Sequence, residues 1–307
     1  MSALASTDEA LAAFAAEVGD HDPVAVQGGG TRWHLGGVLA ENARLVEAPS
    51  GIVDYQPAEM IATVRAGTPV RDLHAELAEA GQTSALPERG GTVGGAIAVG
   101  ENRLDRLGRG SVRDAVLQVR YVSAEGAVVT SGGPVVKNVS GYNLPKLLVG
   151  SLGTLGLVGE VVVRTNPLPP VQRWVCAPGA DPRVVRDALL RPGAVLWDGE
   201  RTWALVEGHE VDVDAEIGRL AAQHELETVE GPPPRPPYRW RLSPADAARA
   251  DRLVESPFVA AIGVGTVWAS RAQPDRTPDP VTAELAHRMK QLFDPTGRLN
   301  PGRSAGG

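Results

Sequence analysis

Cysteine is nearly missing from this chain: Cys176 is the only one among 307 residues. An intramolecular disulfide is therefore excluded, and so is an iron–sulfur cluster held by four cysteines of this chain alone. Any such cluster in an electron path must sit on another subunit. No uncharged apolar run is long enough to span a bilayer, so direct membrane insertion is not expected. A secretory leader is not expected either, because Asp8, Glu9 and Glu17 interrupt the apolar N-terminal residues. Ser6 and Glu9 instead have capping-box spacing, which predicts a helix over Ser6–Val18. A basic stripe is also lacking. The 30 Lys and Arg are scattered among 37 Asp and Glu, for a net charge of −7, which argues against nucleic acid as a partner. A reduced, cytoplasmic setting is the expectation, with peripheral attachment to a membrane-associated complex as the alternative.

Several motifs are missing too. No Gly-x-Gly-x-x-Gly opens a helix after a strand, so a nicotinamide Rossmann site is not expected. There is no Walker A lysine and no His-Glu-x-x-His, and the six histidines do not cluster at metal-ligand spacing, so no metal site is expected. Ser151 lies between glycines but not in a Gly-x-Ser-x-Gly elbow, which removes it as a nucleophile. His34 reads as a polar loop residue and His74 as a surface or packing residue.

What the sequence has is glycine, placed in separated clusters. They are QGGGTRWHLGG (Gln27–Gly37), GGTVGGAIAVG (Gly90–Gly100), GRGSVRD (Gly108–Asp114) and KNVSGYNLPKLLVGSLGTLGLVGE (Lys137–Glu160). Glycine lets a ligand approach main-chain amides closely. The first cluster follows a predicted strand, and Gly28, Gly29 and Gly30 would expose successive N–H groups as a nest for a pyrophosphate. Thr31 adds a hydroxyl, and Arg32 adds charge or simply faces solvent. The alternative is a tight turn without a ligand. In the second cluster Thr92, Ala96 and Ala98 keep the surroundings small. That pattern serves either a ligand or the close packing of a helix on a sheet. Ser111 and Asp114 offer polar groups at a strand entrance, although Asp114 could instead cap local amides. In the last cluster Lys137, Asn138 and Gly141–Asn143 lead through a leucine-faced helix to Gly150, Gly153 and Gly156.

The coarse pattern is α+β. Short strands are predicted at Val24–Gln27, Leu45–Ala48, Ile52–Tyr55 and Ile61–Ala66. A helix follows with Thr68 at the N-cap, Pro69 at the first position and Gly81 past its end, burying Val70, Leu73 and Leu77. Val116–Ser123 and Ala127–Ser131 read as a hairpin, and Leu157–Arg164 as a valine-rich strand. Asn166–Pro170 (NPLPP) ends this half. From Val171 to Glu230 the order is β-α-β-β-α-β, the ferredoxin-like pattern. Strands are expected within Phe258–Trp268 and a final helix over Val281–Phe293.

At these residues a family is recognisable. The chain resembles FAD-binding domains of the vanillyl-alcohol oxidase/p-cresol methylhydroxylase (PCMH) type, and within them the small FAD-binding subunits of bacterial glycolate oxidases. The likeness is carried by TVGG, GSVRD, VVKNVSGYNLPKLLVGSLGTLG and the tail LFDPTGRLNPGR (Leu292–Arg303). It implies a two-subdomain FAD-binding domain over residues 1–170, a small ferredoxin-like α+β cap over 171–280, and a return to the FAD domain over 281–307. It also assigns the cofactor's contacts. Gly28, Gly29, Gly30, Thr31 and Arg32 would hold the pyrophosphate. Gly91, Thr92, Val93, Gly94 and Gly95, with Ser111 and Asp114, would line its central part. The strand at Val158 and Glu160 would present backbone to the adenine, and Asn300 would return near the isoalloxazine. Relatives with histidyl-linked flavin carry His where this chain has Thr31, so the FAD is expected to be noncovalent.

The second domain lacks the His-rich catalytic motifs of larger hydroxyacid dehydrogenases. His209 and His224 are isolated, Arg173, Arg235, Arg239 and Arg241 are candidates for a substrate carboxylate and no more than that, and the catalytic residues are left unassigned. The resemblance therefore implies a subunit of a 2-hydroxyacid oxidase that relays electrons beside a companion flavoprotein and an iron–sulfur subunit. An autonomous FAD-dependent oxidoreductase and a non-catalytic scaffold are the alternatives. Valine at Gly29 or Gly94 is expected to abolish FAD retention by filling the cofactor's space.

Overall fold

A computed structural model describes residues 2–133, 144–255, 257–274 and 279–304, with side chains from residue 9 onward. Lys137, Asn138 and Gly141–Asn143 lie outside the described residues. The chain is α+β and divides into two units. The first comprises Met1–Asn102, Ser111–Pro167 and Thr277–Gly307, the second Arg103–Gly110 and Leu168–Arg276. The division thus falls near residues 167 and 276, where the sequence suggested 170 and 280, and the short segment Arg103–Gly110 goes with the second unit.

The first unit contains two sheets. In the smaller one, Val24–Val26 pairs in parallel with Arg44–Val46, and Val24 also bridges Leu299 of the C-terminal tail. The larger one is antiparallel and runs Ile52–Gln56, Ile61–Arg65, Leu157–Pro167, Val116–Val122, Val128–Gly132, with Gln82–Ser84 beside the far end of Leu157–Pro167. Leu157–Pro167 is central and covered on both faces, which is why it reads as a continuous apolar run rather than an alternating one. Val158, Val161 and Val163 pack with Val70, Leu73 and Leu77 of the helix Val70–Glu79 and with Val93 and Ile97 of the helix Val93–Val99. A Cβ on Gly159 would meet Leu11 and Phe14 of the helix Ser2–Val18, so that helix covers the opposite face.

One cap is not where the sequence put it. Pro69, not Thr68, is the N-cap of Val70–Glu79. The buried Thr68 hydroxyl accepts from the Gly51 N–H at 2.8 Å and donates to the Gly51 carbonyl at 3.1 Å, fastening two loops instead.

In the second unit the sheet begins Glu227–Val229, Val171–Pro178, Arg201–Gly208, Ala194–Trp197, the antiparallel order of a ferredoxin-like unit. Phe258–Ala261, Thr266–Ala269 and Tyr238–Arg241 then extend the same sheet. Period-two alternation turns Val175, Ala177, Ala204 and Val206 toward Val185, Val213 and Leu220 of the two helices, and Cys176, Leu196 and Trp203 to the other face. Burial pushes the Cys176 thiol pKa up, so this cysteine is a small apolar filler.

Arg103–Gly110 is tied to this unit by the packing of Leu104 and Leu107 and by charge. Arg109 reaches Asp105 at 2.6 Å and Glu207 at 3.1 Å, all three largely buried, while Arg103 makes a two-pronged contact with Asp105 at 2.9 and 2.8 Å. Burial would raise the Asp105 pKa, but Arg103 and Arg109 outweigh it and hold the carboxyl below the usual range. A folded value below the unfolded one stabilises the fold above the ordinary aspartate range, and this contribution disappears as pH falls through the depressed value. Melting from neutral pH into the acid range should therefore show a loss of stability that Asp105→Asn flattens. An unchanged acid limb would assign that loss to other carboxylates.

Candidate functional site

Within the first unit three of the four glycine-rich segments, all but Gly108–Asp114, contribute to the wall of one cavity of about 360 Å³, within the range of small-molecule sites. Gly28, Gly29, Gly30, Thr31, Arg32, Gly91, Thr92, Gly94, Gly95, Val158 and Asn300 all line it. The chain turns at Gly28 as it leaves the strand Val24–Val26. Among the described residues, the main-chain N–H groups of Gly28, Gly29, Gly30 and Thr31 meet no protein acceptor, and these residues are exposed. Consecutive amides of this kind are able to receive an anion.

The second segment works differently. Thr92 is the N-cap of the helix Val93–Val99, its hydroxyl accepting from the Gly95 N–H at 3.2 Å. The Val93 N–H is committed to the Thr68 carbonyl at 2.8 Å and the Gly94 N–H to the Ala66 carbonyl at 2.7 Å. These amides therefore fasten the helix to the sheet and are unavailable to a ligand. Gly100 lies so close to Gly150 that a Cβ would stand 3.0 Å from the latter's Cα, and the Leu152 N–H bonds the Ala98 carbonyl at 2.8 Å. The close-packing alternative for this glycine cluster thus holds at Val93, Gly94 and Gly100.

Four assigned residues do not line the cavity. Val93 is fully buried in the core. Ser111 caps the short helix Val112–Ala115, accepting from the Asp114 N–H and donating to the Asp114 carboxylate at 2.6 Å. Asp114 also meets Lys146 at 3.1 Å. Glu160 is buried with Arg120 at 3.4 Å.

The glycine substitutions also need correction. A Cβ at Gly29 would stand 2.6 Å from the Gly90 carbonyl oxygen, and one at Gly94 would stand 2.7 Å from the Ala66 Cβ and 3.0 Å from its carbonyl oxygen. Both valines would strike protein before any ligand. Even Gly94→Ala should destabilise the chain by about 1–3 kcal/mol through overpacking. A thermal melt without ligand checks this, and an unchanged midpoint would contradict it.

Other groups at the cavity were not legible in the sequence. Glu101 accepts Arg32 Nε at 3.1 Å and pairs with Arg89 at 3.2 Å. The Arg303 guanidinium lies 4.7 Å from the centre of the Trp33 ring. Leu152 (φ 53°) and Asn300 (φ 45°) hold left-handed backbone at the cavity wall, a conformation that L-residues adopt at a cost when the surroundings enforce it.

The C-terminal tail completes the wall. Arg298 is buried and donates to the carbonyls of Asp22 at 2.9 Å, Ala124 at 3.0 Å and Val18 at 2.8 Å. The Asn300 N–H then bonds the Val24 carbonyl at 2.8 Å, which sets Asn300 at the end of the first strand.

The family described as "FAD binding domain" matches residues 2–132, and "FAD linked oxidases, C-terminal domain" matches residues 263–304. Glycolate oxidase subunit GlcE of Escherichia coli (strain K12) is 30% identical over 93% of this chain and 93% of its own length. The chain belongs to the GlcE family of glycolate oxidase subunits. D-2-hydroxyglutarate dehydrogenase of Xanthomonas citri pv. viticola is 33% identical over 47% of the chain and 32% of its own length. Glycolate oxidase subunit GlcD of Bacillus subtilis (strain 168) is 40% identical over 28% and 18%. A solved alkyldihydroxyacetonephosphate synthase covers 95% of the chain and 73% of its own with TM-score 0.64 at 13% identity, a likeness of fold. As a GlcE-family protein the chain carries an FAD-binding domain, and FAD is its cofactor.

The cavity fits that group. Its wall offers a run of exposed amides, space beside Gly95 where a Cβ would meet only the Thr92 hydroxyl, and paired arginines at the rim. Among the described residues no group of three or more His, Cys, Asp or Glu is placed to hold a metal, and no helix is long and apolar enough to cross a membrane.

Of the arginines named for a substrate carboxylate, Arg173 is engaged by Glu210 at 3.2 Å and by Asp214, and Arg235 stands 5.2 Å over Trp268. His74 bonds the Ser84 hydroxyl at 2.9 Å, in keeping with a packing role.

Proposed function

We propose that the chain is the FAD-holding subunit of a complex that oxidises glycolate or a related 2-hydroxyacid, and that it relays electrons within that complex. The observation that carries this reading is the glycine-walled cavity with its run of unpartnered amides, in a chain that matches a glycolate oxidase subunit over nearly its whole length. Bound FAD would supply reversible two-electron and one-electron redox chemistry, which no side chain here offers. The chain's own part is to hold and shield it. The Gly28–Arg32 loop would hold the pyrophosphate, Gly95 and Ala98 would keep the wall low, and Asn300 would close the far side. Thr31 replaces the histidine of covalent relatives, so retention would rest on these contacts alone.

A companion flavoprotein would take hydride from the substrate carbon, and an iron–sulfur subunit would accept the electrons. Two features support a subunit over an autonomous enzyme. The second unit's buried ionisable groups Arg109, Asp105 and Glu207 are engaged with one another, leaving no poised base among them. The helix Pro280–Phe293 exposes Val281, Leu285 and Leu292 along one face, an apolar stripe suited to a companion subunit. The complex would be cytoplasmic or peripheral on a membrane.

Purification of the native complex with a flavin and iron count, followed by turnover of glycolate with an artificial acceptor, tests the reading. The expected result is FAD on the isolated chain, with turnover only in the complex. Turnover by the isolated chain at the rate of the complex would overturn it in favour of an autonomous oxidoreductase.

A further inference from the structure

The cationic groups at the cavity differ in one respect. Arg32 and Arg89 share the Glu101 carboxylate, one on each oxygen, so their charge is already partly answered. Arg303 is not answered. Its Nη1 donates to the Trp33 carbonyl at 2.6 Å and to the Leu35 carbonyl, and its central carbon lies over the Trp33 ring, 4.7 Å from the centre. Among the described residues no carboxylate pairs with it. The ionisable residues of the wall are Arg32, Arg89 and Arg303 against Glu47 and Glu101, a local excess of one positive charge in a chain whose net charge is −7. A half-buried cation without a counter-ion is unfavourable, and burial does lower the Arg303 pKa. Lying over tryptophan and bonding through one nitrogen leave Nε and Nη2 as donors fixed in one plane, the geometry that grips an oxyanion.

We infer that Arg303 is the oxyanion-recognising side chain of this cavity, with Trp33 as the platform that supports it. The oxyanion is either a phosphate of the dinucleotide or the carboxylate of the substrate. The inference rests on the reading of this cavity as a ligand site, but it does not need FAD to be the ligand.

The test uses the full chain and its Arg303→Gln and Arg303→Lys variants, each first shown by thermal melting to be folded. Binding of FAD, riboflavin, inorganic pyrophosphate and oxalate is measured by calorimetry. If the oxyanion is a phosphate, Arg303→Gln weakens FAD and pyrophosphate at least tenfold and leaves riboflavin unchanged. If it is a carboxylate, Arg303→Gln weakens oxalate by that factor and leaves FAD unchanged. In either case Arg303→Lys retains part of the affinity. Wild-type chain that binds pyrophosphate or oxalate through Arg303 but not FAD would uphold the inference and sink the proposed function. Equal affinities in wild type and Arg303→Gln for all four ligands, or no anion or FAD binding by the wild type, would overturn it.

Discussion

Gly95→Leu is expected to abolish FAD binding while leaving the apoprotein folded. Gly95 lies on the exposed side of the helix Val93–Val99 and lines the cavity. A Cβ there meets only the Thr92 hydroxyl, at 3.3 Å, so the protein can accept a side chain. Removing glycine from a helix interior should even favour the free chain by roughly 0.5–1 kcal/mol. The branched side chain then occupies ligand space rather than protein space. A loss of about 100-fold or more in affinity, roughly 2.7 kcal/mol, is expected. Flavin fluorescence on titration gives the affinity, and far-ultraviolet circular dichroism with a melt reports the fold. Wild-type affinity in a folded variant would remove this helix from the cofactor's surroundings. The contrast with Gly94→Ala is the useful part: adjacent glycines, one needed for packing on Ala66 and the other for the ligand.

The second large effect is expected at Asp294, far from any glycine cluster in the sequence. Its side chain is fully buried, takes the Arg298 N–H at 3.0 Å and the Leu299 N–H at 2.8 Å, and pairs with Lys290 at 2.6 Å. Alanine would leave two amides without an acceptor and an ammonium without its counter-charge. Lys290 is partly exposed and keeps the Thr154 carbonyl, so the main loss is at the two amides, each left unsatisfied at a cost of about 1–3 kcal/mol. On a chain of this size the two losses together are a fall in melting temperature of about 10 °C. The damage should spread, because Asp294 shapes the turn that aims Arg298 at three carbonyls and sets Asn300 at the cavity. FAD affinity should therefore fall as well, although Asp294 does not line the cavity. A variant that melts within two or so degrees of wild type would show that the tail is held by other contacts.

The sequence disclosed what is local and hid what is assembled from distant segments. Val70, Leu73 and Leu77 share a helix face that spacing alone reveals, and the β-α-β-β-α-β order of the second unit follows from elements that are neighbours along the chain. The glycine loops were legible as candidates for a ligand, yet not their division of labour. Whether an amide is free depends on Ala66 and Thr68 for Gly94 and Val93, and these lie some twenty-five residues upstream. Thr68 looked like a cap because Thr-Pro is a helix-start pattern, but Gly51 competes for its hydroxyl. Ser111 and Asp114 were read as cofactor groups through the resemblance, whereas they form a local cap with each other. Asp294 and Arg298 stood out only as part of the tail that carries the resemblance, and their contacts did not, since the Arg298 partners at Val18, Asp22 and Ala124 are separated from this turn by most of the chain. Nothing in the composition of Arg103–Gly110 marks it as part of the second unit either. Contacts with distant residues place it there: the buried Arg109 reaches Glu207, Leu104 and Leu107 pack on the second unit's clusters, and the Gly108 N–H bonds the Gly193 carbonyl.

FAD is expected to bind in the cavity walled by the Gly28–Arg32 loop, the Gly91–Gly95 segment and the C-terminal tail. Thermal unfolding of the full chain with and without FAD tests it most directly. A ligand that binds only the native state stabilises it by about 3–4 kcal/mol at 100–1,000 times its dissociation constant. The wild type is expected to show a rise in melting temperature corresponding to that stabilisation, and Gly95→Leu none. A wild-type chain that purifies colourless and melts at the same temperature with saturating FAD would contradict that expectation.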